Sequence, residues 1–319
     1  MRLPRSRWLV ALLCGVAVGA ASCQAAPTIT TQTNSYYMAR ATAPDASRLG
    51  CFNANRSGRM TLFFGAPVTV RGAYGATLWG APDRNTAEIG QTVQNFVRGY
   101  AYCRTDSRRR LLIGVGTSNS AINGRTDAWL QAHGAAWARM VANLNAWASK
   151  YYPGHAQIYA AWDFEPSWSS FAKADQWMHG YDITPGRRPL YANSSADGCP
   201  TSTATNGPCN NGWTQNRVWH LAWRHDPSMP IPQIYATSGV NAHQWQLIDL
   251  WATVAQHDGM YFYGTMSQAG ACKQAGAGAC PGTNNSPTSA RNFLLWWLRT
   301  DRRTSQPSVD TMTDISWNS

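Results

Sequence analysis

Residues 158–165 read IYAAWDFE, Ile158 to Glu165, and Pro166 and Ser167 follow at once. Side chains alternate across an extended strand, so Ile158, Ala160, Trp162 and Phe164 share one face, while Tyr159, Ala161, Asp163 and Glu165 share the other. One face is apolar and the other ends in two carboxylates. A strand of a (β/α) barrel needs this pattern: the apolar side packs on outer helices, and the inner side presents acids at the carboxyl end, where active sites of such barrels lie.

The stretches around it alternate in the same sense. Upstream, TLFFGAPV (Thr61–Val68) and LLIGVG (Leu111–Gly116) have the apolar density of buried strands, and 86–102 and 126–151 carry apolar residues at helical spacing. Downstream, the sequence predicts strands at RPLYANS (Arg188–Ser194), VWHLAW (Val218–Trp223), PQIYAT (Pro232–Thr237) and MYFYGTMS (Met260–Ser267). It predicts helices over 169–180, 241–256 and 287–299, with a strand over 243–247 as the alternative to the second, and a closing strand within 309–317. Seven or eight strand–helix units point to an α/β fold, a (β/α)8-like TIM barrel. The barrel domain is read as 60–319, preceded by an extended polar segment, 26–59, and a signal, 1–25.

That signal rests on Arg2, Arg5 and Arg7, an apolar run from Trp8 to Ala21, and the small residues Ala20, Ala21 and Ser22. Cleavage near Ala25 or Ala26 competes with lipidation of Cys23, which would anchor the chain to the envelope. Either route exports the protein. Of eight cysteines, Cys14 and Cys23 belong to the signal, and the remaining six suggest three disulfides. Cys199 with Cys209 and Cys272 with Cys280 each bracket a short run of turn residues, which leaves Cys51 for Cys103; other connectivities stay open.

The formal net charge is +11, three charges of which belong to the signal arginines. A basic exported chain suits anionic surfaces such as wall polymers or lipid headgroups. Its arginines are dispersed and Arg108, Arg109 and Arg110 read as a solvated loop, so nucleic acid is not an expected partner. No CxxC or HExxH occurs and the seven histidines are scattered, so neither a metal nor a cofactor is expected. A monomer is expected.

Only two glutamates exist, Glu88 and Glu165, and Glu88 falls in a helical segment where a solvated role suffices. Glycoside cleavage needs an acid to protonate the leaving oxygen and a second carboxylate to act as nucleophile, base or stabiliser. Glu165 is the candidate general acid, raised by burial and by the charge of Asp163, which is expected to stay ionised. Asp197, beyond the next strand, is a third candidate. Tyr191 is expected to face inward toward substrate. Among the tryptophans, Trp168, Trp223 and Trp245 fall near predicted strand ends and are candidate sugar platforms, with Tyr261 and Tyr263 beside them.

The motifs WDFEPSW and LYANSSADGCP, with a later HQW, resemble the secreted glycoside-hydrolase-like domains of actinobacteria, which are distantly similar to family 25 lysozymes. The resemblance covers about 60–301. It implies a barrel with an Asp-x-Glu pair at a strand end, Asp163 and Glu165, acting on a peptidoglycan or other polysaccharide. Thr61 to Val68 lacks the first-strand aspartate of those lysozymes. A glycan-binding envelope protein on the same barrel is the alternative.

Overall fold

The computed structural model describes residues 31–226 and 228–318; the segment read as a signal, with Cys14 and Cys23, lies outside the described residues. The chain runs β1 (Thr31–Tyr37), α1 (Ala43–Phe52), β2 (Gly58–Phe63), β3 (Ala66–Val70), β4 (Ala73–Thr77), β5 (Arg84–Asn85), α2 (Thr86–Cys103) and β6 (Leu111–Ser118). Then follow α3 (Asp127–Tyr151), β7 (Ala156–Asp163), α4 (Phe171–Asp182), β8 (Leu190–Ala192), α5 (Gln215–Trp219) and a π-helical turn, His220–Arg224. The last part holds β9 (Ser228–Pro230), α6 (Val240–Trp251) with a π-helical extension, β10 (Thr265–Ser267), α7 (Ala269–Ala275), α8 (Pro287–Arg299) and β11 (Thr311–Trp317).

Eight strands form one curled sheet in the order β10-β11-β1-β2-β6-β7-β8-β9, and every ladder in it is parallel. The fold is therefore α/β. Between the two edge strands there is no regular ladder; an isolated bridge joins Gln233 to Met266. Backbone hydrogen bonds from Tyr263 to Pro230, Met266 to Pro232 and Ile234 to Met266, each 2.9 Å, span the same gap. Pro230 and Pro232 lack the N–H groups a full ladder requires there. A regular closed barrel is thus not what the ladders form.

The two faces of β7 separate as its alternation demands. Ile158, Ala160, Trp162 and Phe164 lie in the large core between sheet and helices, where Trp162 stacks on Trp177 of α4 at 4.5 Å. Ala161 and Tyr159 join the smaller inner cluster with Phe63, Tyr191, Met266 and Ile315. Those rings fill the curl of the sheet because β6 is thin on that side. A Cβ on Gly114 would stand 2.8 Å from the Tyr191 ring, and one on Gly116 2.6 Å from Phe63.

The polar segment 26–59, read as a lead-in, instead supplies β1 and α1, and β1 sits between β11 and β2 in the sheet. TLFFGAPV divides at Gly65 (φ 86°), where a side chain would collide with Thr77 O; β3 departs into an antiparallel sheet with β4 and β5. VWHLAW is helical, not a strand: Val218, Leu221 and Ala222 are buried at three-to-four spacing across α5 and the π turn. PQIYAT is not a regular strand, although Ile231 N and Gln233 N continue the β9 side of the sheet against Ala192 O and Ser194 O, each at 3.0 Å. Of MYFYGTMS only Thr265–Ser267 enters the sheet.

The three disulfides are Cys51–Cys103, Cys199–Cys209 and Cys272–Cys280, the pairing expected from loop spacing. They belong to an oxidising environment such as that outside the cell. Cys51–Cys103 joins α1 to α2, which approach closely enough that a Cβ on Gly99 would meet Ser47 O at 2.0 Å. No helix among the described residues is long and apolar enough to cross a membrane.

Candidate active site

Asp163 is the last residue of β7 and points to the inner side, opposite Ser118 of β6 in the parallel register. The chain then turns, with Trp168 N donating to Glu165 O at 3.0 Å, so Glu165 stands two residues beyond the strand on the same side. Asn119, just past β6, holds this turn from both directions. Its Oδ1 accepts from Glu165 N at 2.9 Å, and its Nδ2 donates to Glu165 O at 3.0 Å and to Ser169 Oγ at 2.8 Å. Asn119 N also donates to Asp163 O at 3.1 Å. From the other flank, the segment after the Cys199–Cys209 loop donates through Asn210 to Ser167 Oγ at 2.9 Å and through Asn211 to Pro166 O at 2.8 Å. Trp213 stacks on Phe164 at 5.9 Å and donates to Ser169 O at 2.7 Å. The acids therefore sit on a backbone braced from two sides.

Asp163 is 2 % exposed, and Gln233 Nε2 donates to its Oδ1 at 2.7 Å. Burial pushes its carboxyl well above the usual range, and the charges of Glu165 and Asp197 push it further, while the Gln233 bond acts the other way. Asp163 was expected to stay ionised; instead desolvation raises it together with its neighbour. Glu165 is pushed up to about 8, by burial first and then by the charge of Asp197, with Gln233 opposing. Asp163 and Glu165, raised together, retain a proton between them at neutral pH. Glu165, less buried than Asp163, is the member of the pair nearer to solvent.

Asp197 lies in the loop after β8, within electrostatic reach of both acids, so the three carboxylates singled out in the sequence do gather. Trp168, partly exposed, follows them on the same turn. The other proposed contacts fall elsewhere. Tyr191 faces inward as read, but its ring stacks on Tyr159 at 5.1 Å and its hydroxyl lies by Leu112 O at 3.5 Å, near the amino end of β6 and away from the acids. Tyr263 lies under the Arg59 guanidinium at 5.2 Å and 5.1 Å from Tyr261, at the amino ends of the strands. Trp223 belongs to the π turn and donates to Asp258 Oδ1 at 3.0 Å. Trp245 is fully buried in α6 against Phe262. None of these five side chains lies beside the acids. Glu88 closes a capping box with Asn85 and pairs with Arg71, a structural role.

Residues not singled out complete the rim. Tyr37, at the end of β1, is raised by burial and by the charges of Asp163 and Glu165, and Tyr235 is raised by burial, by Tyr37 and by the same acids. Tyr37 also packs on Trp317 of β11 at 4.8 Å and on Trp79 at 5.4 Å, while Trp79 and Trp317 lie 5.8 Å apart. The carboxyl end of the sheet thus carries an aromatic wall beside the acids. Neither β1 nor β2 contributes a carboxylate. The buried hydroxyls of Ser194 and Ser195, which follow β8, make no hydrogen bond within the described residues.

No protein-family model matches the chain, and no curated protein matches it.

Proposed function

We propose that the protein is an exported glycoside hydrolase acting on a cell-wall or other microbial polysaccharide, built on a (β/α)8-like barrel of the kind found in family 25 lysozymes. The observation that carries this reading is the Glu165 carboxyl, held protonated to about 8 beside Asp163 at the carboxyl end of a parallel sheet. The hydrogen bonds between the segments of Pro230–Ile234 and Tyr263–Met266 support the barrel, since they bring its two edges together.

In this reading a sugar lies against Tyr37, Trp79 and Trp317, whose faces suit the apolar side of a pyranose. Glu165 gives its proton to the glycosidic oxygen as that bond breaks. Positive charge then develops at the anomeric carbon beside Asp163, whose ionised form the Gln233 bond favours against the burial and the charges of Glu165 and Asp197 that raise its carboxyl. Water adds to the anomeric carbon and gives its proton to the Glu165 carboxylate, which restores the acid and completes hydrolysis. A second reading, a glycan-binding envelope protein, is favoured by one observation, the absence of a carboxylate on β1 and β2.

The test is release of reducing ends from a panel of peptidoglycan and other microbial glycans by the wild type, Glu165→Gln and Asp163→Asn. Hydrolysis by the wild type that falls by three orders of magnitude or more in Glu165→Gln supports catalysis. Turnover equal in all three removes the acids from the mechanism. Retention of a glycan by sedimentation, with no turnover by the wild type, establishes the binding protein instead.

A further inference from the structure

Away from the acids, Asp175 of α4 and His220 and His225 bring three metal-ligating atoms within 4.8 Å of one another. The π-helical turn creates this group. His225 N donates to His220 O at 3.1 Å, an i to i+5 bond, whereas residues five apart in an α-helix diverge by about 140° around the axis. The wider turn sets the two imidazoles edge to face with centroids 4.5 Å apart. Asp175 Oδ1 lies 3.4 Å from His220 Nε2 and 3.3 Å from His225 Nε2. With metal–ligand bonds of about 2.0–2.1 Å, the edge of a tetrahedron is about 3.4 Å.

The far side of His225 is also built as a metal ligand requires. Its Nδ1 lies 2.7 Å from Asp182 Oδ2, and Asp182 is itself held by Arg187 Nε at 3.2 Å. A carboxylate accepting the Nδ1 proton leaves the neutral ring's lone pair on Nε2, facing Asp175. Two imidazoles and one carboxylate, with no thiolate, suit Zn2+ and leave a fourth position for water. Side-chain exposures of 36 % for His220, 31 % for Asp175 and 13 % for His225 leave that position open to solvent.

We propose that Asp175, His220 and His225 bind one Zn2+ ion, with Asp182 orienting His225. The ion ties α4 to the π turn. Through Phe171, whose ring lies 5.9 Å from His220 and 5.5 Å from Trp213, it steadies the segment that follows Glu165. This site is independent of the hydrolase reading. The rival account of the same contacts is a set of histidine–carboxylate ion pairs that needs no metal.

The experiment titrates Zn2+ at neutral pH into the folded, disulfide-intact exported chain after chelator stripping, followed by calorimetry and thermal denaturation. Co2+ serves as the spectroscopic probe. The expected result is one equivalent bound, a higher Tm, and visible Co2+ bands of tetrahedral coordination. His220→Ala and His225→Ala should each weaken binding at least a hundredfold, Asp182→Asn about 10–100-fold, and His155→Ala should leave it unchanged. His220→Asn carries the test if His225→Ala does not fold. A folded wild type with no binding heat and no Co2+ bands overturns the proposal, as does one-equivalent binding that survives His220→Asn.

Discussion

Gln233 Nε2 donates a 2.7 Å hydrogen bond to Asp163 Oδ1 across 70 residues of sequence. It joins the end of β7 to the segment that follows β9, and no other donor to the Asp163 side chain is seen among the described residues. A bond to the charged carboxylate favours ionisation against the burial that opposes it. Replacing Gln233 by Leu should raise Asp163 further. The stability deficit should be larger at pH 9, where the carboxylate is left buried without its donor, than at pH 5, and should reach about 1–3 kcal/mol. Urea denaturation at the two pH values checks this, and an equal deficit at both would remove the bond from the ionisation of Asp163.

The second prediction concerns the pH profile. Because Glu165 must carry a proton, kcat/KM for glycan hydrolysis should fall on an alkaline limb near about 8. Asp197 holds that value up through its charge, so Asp197→Asn should move the limb to lower pH without abolishing turnover. A limb that stays in place would exclude Asp197 from the electrostatics of the site.

Asn119 touches neither substrate nor proton in this scheme; it is a positioning residue. Asn119→Ala removes the bonds to Glu165 N, Glu165 O and Ser169 Oγ, with a cost of about 1–3 kcal/mol in stability. In the folded variant kcat should fall more than tenfold while the alkaline limb broadens or moves, because Glu165 is no longer held at one depth. A purely structural role would lower Tm and leave the profile of the folded fraction unchanged.

Trp317 extends the aromatic wall begun by Tyr37 and Trp79. Trp317→Ala should raise KM about two- to tenfold, in keeping with roughly 0.5–1.5 kcal/mol for an aromatic contact, with kcat changed less. Trp245→Ala, in the buried α6 core, should instead lower Tm and leave KM of the folded protein unchanged. A Trp317 variant with wild-type KM would place the sugar elsewhere.

The pair Asp163 and Glu165 was legible because β7 obeys a strict two-residue period with a fully apolar outer face. β1 was not, since its inner side is polar: Ser35 Oγ meets Thr313 Oγ1 at 2.8 Å, and Thr33 bonds Arg59 O. Hydroxyls that satisfy one another inside the sheet leave no apolar alternation to read. Gln233 and Tyr235 lie in PQIYAT, legible as a strand, but nothing in that short segment shows that its side chains meet the Asp163 carboxyl across 70 residues of sequence. Trp223 and Tyr263 lie away from the acids, since an aromatic run shows burial but not which end of the sheet it faces. The metal-ligand group was invisible at the level of spacing, since Asp175 and the two histidines meet only through packing of α4 on the π turn.

Holding a proton on Glu165 has a thermodynamic signature that does not depend on any substrate. Its carboxyl lies at about 8 in the folded chain against 4.5 as the ordinary value. Between those values the folded state binds more protons than the unfolded state, so stability falls as pH rises through this window. Below the lower value both states are protonated and the contribution is fully present; above the upper value it is lost. Glu165→Gln removes the titration while keeping the shape of the side chain. The variant should match the wild type near pH 4 and exceed it at pH 9, by an amount on the order of a few kcal/mol. Denaturant midpoints across this range test the idea directly, and a Glu165→Gln chain no more stable than the wild type at pH 9 would show that the carboxyl is not raised. That outcome would also remove the proton on which the hydrolytic reading depends.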